Sequence, residues 1–126
     1  MTDHPCFLVL ERNMVIAQDV VEALREHAPR ATVVSADSIV SAIRDISSLN
    51  HLTVAFVAAP AGAVQVSGLG AAIEARGGQV VLCGTEVPEE GVELNGWRHL
   101  PRPFTSEMIQ QAAREAALAG GFRACA

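Results

Sequence analysis

The sequence predicts an α/β domain in three layers, with a parallel sheet covered by helices on both faces. Two observations carry this. Five short apolar runs alternate with segments whose apolar residues recur at helical spacing, which is the signature of successive βα units. Half of the 126 residues are hydrophobic, yet only 4% are aromatic. The core must then come from Ala, Val, Leu and Ile, with β-branched residues in strands buried on both faces and Ala-rich helices packed on them. The length suits one domain and is enough to bury a core without disulfide or metal staples.

The first strand is Cys6–Leu10, a continuous apolar run closed by Glu11 and Arg12. Asn13 is placed to cap the helix that follows, in which Ile16, Val20, Val21 and Leu24 share a face. Ala31–Ser35 is the second strand. Asp37 or Ser38 caps a second helix with Ile39, Ile43 and Ile46 inward. Leu52–Ala59 is the third strand, broken by Pro60, Ala61 and Gly62. A third helix runs from about Val64 to Arg76 and ends at Gly77-Gly78. Gln79–Cys83 is the fourth strand. The polar, Pro- and Gly-broken stretch from Gly84 to Asn95 leaves room only for a short fourth helix or none. Arg98–Leu100 is a brief fifth strand. Thr105 caps the last helix, which Gly120-Gly121 should end. Residues 1–119 are thus expected to form the domain, and 120–126 a flexible tail. In such folds, sites form beyond the carboxyl ends of the strands.

Composition excludes several functions. The net charge is -5, and the nine basic residues are all Arg, scattered without a basic stripe, so nucleic-acid binding is not expected. Cys6, Cys83 and Cys125 form neither a disulfide framework nor a zinc motif. His4, His27, His51 and His99 are scattered and read as ordinary polar residues rather than metal ligands. Gly68-Leu69-Gly70 lacks the third glycine of a dinucleotide fingerprint and follows a loop, not a strand. No catalytic triad, carboxylate pair or phosphate loop appears, so the chain does not read as an enzyme. There is no signal peptide and no apolar run of membrane-spanning length. The expected setting is the cytoplasm, with no membrane partner.

From about Phe7 to Glu115 the chain resembles the receiver domains of bacterial response regulators. Phe7-Leu8-Val9-Leu10-Glu11-Arg12-Asn13 is similar to the receiver's first strand and acidic turn, with Arg12 where a second carboxylate is usual. Asn13-Met14-Val15-Ile16-Ala17 looks like a first helix common among alphaproteobacterial receivers. Leu82-Cys83-Gly84-Thr85 resembles the end of their fourth strand, with Gly84 in the place of the usual hydroxyl residue and Thr85 after it. Leu100-Pro101-Arg102-Pro103-Phe104 looks like the fifth-strand Lys-Pro-Phe, with Arg102 for the lysine.

The resemblance implies a flavodoxin-like fold with strand order 2-1-3-4-5 and a cis peptide before Pro103. It implies that the phosphoryl-accepting aspartate would stand at Phe56, counted back from Pro60; a one-residue slip gives Val57. Neither residue is a nucleophile. Phosphorylation needs a carboxylate, oxygen ligands for magnesium, and a hydroxyl and an ammonium for the new phosphoryl oxygens. Phe56, and a permanently charged Arg12, remove the first two. The expectation is therefore a degenerate pocket of Glu11, Arg12, Phe56, Gly84, Thr85 and Arg102, with no metal and no cofactor. Glu11 is expected to pair with Arg102 or Arg12, or to remain solvated. Such a stand-alone pseudo-receiver acts by protein contact with a histidine kinase, a phosphotransfer protein or another regulator, or by forming a homodimer. Trp97 and His99 mark a candidate docking surface, although Trp97 also suits simple loop packing. An alternative is a small-ligand regulator with an apolar slot lined by Leu10, Phe56, Val57 and Cys83.

Overall fold

The computed structural model describes residues 4–84, 97–101 and 105–125, with side chains described up to Ala116. Its elements run β1 (Cys6–Leu10), α1 (Met14–His27), β2 (Thr32–Ala36), α2 (Ile39–Ile46), β3 (Val54–Val57), α3 (Ala61–Ser67), α4 (Leu69–Ala75), β4 (Gln79–Gly84), β5 (Arg98–Pro101) and α5 (Ser106–Cys125). The five strands form one parallel sheet in the order β2-β1-β3-β4-β5. This is the predicted architecture.

The central strands β1 and β3 are buried at every residue, because helices cover both faces. Alternate residues separate into two cores. Leu8, Leu10, Ala55, Val57, Val80 and Leu82 pack against α2, α3 and α4, through Ala42, Ile46, Val64, Leu69 and Ile73. Phe7, Val9, Val54, Phe56, Val81 and Cys83 pack against α1 and α5, through Val20, Leu24, Ile109, Ala113 and Ala116. Burial pushes the Cys6 thiol up from its ordinary value of 9.0, so it stays protonated and unreactive at neutral pH.

The predicted caps form. Asn13 Oδ1 accepts from the backbone N–H of Val15 at 3.0 Å and of Ile16 at 3.3 Å. Ser38 Oγ accepts from the N–H of Ser41 at 3.1 Å, and Thr105 Oγ1 from that of Met108 at 3.2 Å. Each satisfies a donor that the first helical turn leaves unpaired.

The third strand is shorter than expected, Val54–Val57 rather than Leu52–Ala59, and two helices differ from the expectation. The single third helix is instead two, because Gly68 takes a left-handed φ of +85° and interrupts the ladder between α3 and α4. The last helix does not end at Gly120-Gly121 but continues to Cys125. Glycine costs a helix only about 1 kcal/mol relative to alanine, and no proline follows to stop it. Arg76, just after α4, donates to the carbonyls of Leu49 (3.2 Å), Ala72 (2.8 Å) and Ser47 (3.4 Å). It thereby ties the end of that helix to the turn after α2.

Candidate functional site

The carboxyl ends of β1, β3 and β4 converge, as the parallel register requires: Leu10 lies beside Val57, and Val57 beside Leu82. Past these strands, the Ala58 N–H donates to the Leu10 carbonyl at 2.9 Å and the Glu11 N–H to the Ala36 carbonyl at 3.0 Å. The turn after β1 is therefore pinned between its two neighbours. Within it, Glu11 Oε2 accepts from the Asn13 N–H at 3.0 Å, which holds the carboxylate back over the start of α1. Glu11 is half-buried and Arg12 is exposed.

Phe56 does not face this edge. It lies inside β3, level with Val9 on one side and Val81 on the other, and is 2% exposed in the core beneath α1 and α5. Val57 is fully buried on the opposite face. Neither position of the expected acceptor offers a polar atom or an open approach. The four residues of the expected apolar slot are likewise divided. Phe56 and Cys83 belong to one core and Leu10 and Val57 to the other, so they pack as interior rather than line one opening. Gly84 closes β4 opposite Pro101. Thr85, Arg102 and Pro103 lie outside the described residues, as does the stretch expected to hold a short fourth helix. Among the described residues, no group of three or more His, Cys, Asp or Glu side chains is placed to hold a metal ion.

Trp97 and His99 part company. The exposed indole considered for docking is not what the packing provides: Trp97 is 8% exposed, seated in the core under α3 and α4. The reason is Gly70. A Cβ there would lie 2.5 Å from Trp97 Cζ2, so the missing side chain is the slot that admits the ring. One turn on, Glu74 Oε2 accepts from Trp97 Nε1 at 3.0 Å, which satisfies the donor that burying a Trp exposes to loss. Sequence reasoning missed this pair. The signal was present in the Gly70–Glu74 spacing of four, which places both on one helix face.

His99 is half-buried and lines a groove of about 210 Å³ between β5 and α5, with Arg98, Met108, Gln111, Ala112 and Glu115. Arg98 Nη1 and Glu115 Oε1 meet across it at 2.8 Å, both about half exposed. No helix among the described residues is long and apolar enough to cross a membrane.

No family model and no curated protein matches the chain in sequence. Solved structures do match in shape. The chain is similar to the chemotaxis response regulator CheY4 of Vibrio cholerae, with a TM-score of 0.72 at 14% identity, over 90% of this chain and 99% of that one. It is similar to a response regulator receiver protein of Sinorhizobium medicae, with a TM-score of 0.72 at 19% identity, over 94% and 98%. A third likeness is the pilus assembly protein CpaE of Caulobacter crescentus, with a TM-score of 0.62 at 16% identity, over 87% and 97%. Near-complete coverage on both sides, with the strand order β2-β1-β3-β4-β5, gives the chain the flavodoxin-like fold of response-regulator receiver domains.

Proposed function

We propose that this chain is a receiver-like signalling module that works by protein contact and not by accepting a phosphoryl group. The observation that supports this most directly is Phe56. It stands where receivers carry the acceptor aspartate, by the count from Pro60, and it is 2% exposed within the core. Val57, the other position that the count allows, is also buried, and neither side chain carries a nucleophile. Arg12 adds a fixed positive charge at the rim, where magnesium requires oxygen ligands.

In this reading Glu11 pairs with Arg12 or Arg102 and so offsets one of the two positive charges there. The partner is a signalling protein of the cytoplasm: a histidine kinase, a phosphotransfer protein or another regulator. A second copy of the chain, paired through α5, is a further partner. Neither a cofactor, a nucleic acid nor a membrane takes part, and the protein is not an enzyme.

The test is a two-dimensional amide spectrum with and without magnesium and beryllofluoride, which mimics a phosphoryl group. Unchanged peaks are expected. Shifts at Glu11, Phe56 and Arg102 would overturn the reading, because they would mean that the pocket still holds a metal or an anion.

A further inference from the structure

The two edges of the sheet are finished differently. Among the described residues, β5 pairs with β4 alone and β2 with β1 alone. β5 is four residues long, begins with Arg98 and ends with Pro101. A charged residue and a proline are common guards against pairing with another chain. β2 is five residues long, Thr32-Val33-Val34-Ser35-Ala36, with no charge and no proline. Nothing in its sequence blunts the edge.

The hydrogen bonds of β2 show which of its groups are left over. The Thr32 N–H donates to the Pro5 carbonyl at 3.0 Å, and the Ala36 carbonyl accepts from the Glu11 N–H at 3.0 Å. Residues 32, 34 and 36 therefore direct their main-chain groups at β1. Successive residues of a strand turn these groups to opposite sides, so the N–H and C=O of Val33 and Ser35 point outward. Val33 and Val34 are half-buried, one against each core. Charges of opposite sign flank the strand, Arg30 before it and Asp37 after it, both exposed. Asp37 accepts from the Ser41 hydroxyl at 3.3 Å, and neither it nor Arg30 makes an ion pair among the described residues.

We propose that β2 pairs antiparallel with β2 of a second copy of this chain, about a two-fold axis through Val34. In this register Val33 of each copy stands opposite Ser35 of the other as a hydrogen-bonded pair. The outward N–H groups of both residues thereby all find an acceptor, and the two Val34 side chains meet at the axis. The antiparallel direction also brings the Arg30 end of each strand to the Asp37 end of the other. The interface is thus self-complementary in charge, as a two-fold contact requires. It joins the two sheets into one, leaves α5 uncovered, and does not depend on whether the chain accepts a phosphoryl group.

Sedimentation velocity of the full chain over a concentration series tests it. A reversible dimer that weakens in high salt is expected. Ser35→Pro removes an outward N–H that the ladder to β1 does not use, and the dimer loses it twice. Its dimer should be at least about tenfold weaker. Arg30→Glu should weaken the dimer as well, and adding Asp37→Arg to Arg30→Glu should restore it, because the charges are then exchanged rather than lost. Misfolding cannot imitate that restoration, so the charge exchange decides the question if Ser35→Pro does not fold. A chain that stays monomeric at every concentration would overturn the proposal and leave the edge to a strand of another protein. A dimer that both Ser35→Pro and Arg30→Glu leave intact would also overturn it, since the copies would then meet elsewhere, as through α5.

Discussion

The two faces of the sheet are covered in different ways. One carries two long helices, α1 of 14 residues and α5 of 20. They meet through small residues, since Ala17, Ala23, Ala113 and Ala116 are all buried there. Among the described residues, the other carries three short helices of eight, seven and seven residues, broken at Gly68 and joined by an indole from beside the edge strand. The first face is closed by regular periodicity; the second is assembled from parts. Both faces are close-packed, with Ile46, Val64, Leu69 and Ile73 as fully buried on the second as Leu24 and Ala113 are on the first.

Five substitutions sharpen that contrast. Phe56→Ala should have the largest effect, a loss of about 3–5 kcal/mol for an aromatic deleted from a close-packed core, read from urea denaturation. A loss below about 1 kcal/mol would mean that the α1–α5 face can collapse into the gap and is not tightly packed after all. Ala113→Leu should cost about 1–3 kcal/mol by overpacking, because Ala113 is fully buried. A matching change at Val66, which is 90% exposed on the other face, should stay within about 0.5 kcal/mol. Gly68→Ala should cost about 1–2 kcal/mol from the left-handed backbone alone, since its new methyl group meets no atom. A neutral result in thermal unfolding would show that α3 and α4 can fuse into one helix at no cost. Glu115→Gln, which breaks the exposed pair with Arg98, should change stability by less than about 1 kcal/mol and by still less in high salt.

The same contrast governs what could be read from the sequence. The helices of the regular face announce themselves. Asn13 as a cap, then Val20 and Leu24 inward, and Thr105 followed by Ile109 and Ala113, are local patterns that tertiary structure did not override. The pieced face hid its break. Ser67-Gly68-Leu69-Gly70 sits inside an apolar run whose spacing is as helical before Gly68 as after it, and only packing decides that Gly68 turns left-handed. Trp97 is a similar case. Its role depends on an absent Cβ at Gly70, 27 residues away in sequence, and no local rule connects the two. Residue type alone shows that neither Phe56 nor Arg12 brings a carboxylate. That Phe56 is fully absorbed into the core required coordinates.

Gln110 on α5 donates from Nε2 to the Ala23 carbonyl of α1 at 3.0 Å, spanning 87 residues of sequence. The last helix thus closes over the first, and this sets the order of events at the ribosome. Phe7, Val9 and Phe56 leave the exit tunnel early, yet the second half of their cover is not synthesised until residue 116. The nascent chain must carry a half-covered apolar sheet face until α5 has emerged. Chains stalled before residue 105 should be cut readily by protease, and chains released after residue 116 should resist it. Protection of the shorter chains would mean that α1 and the sheet hold together without their lid.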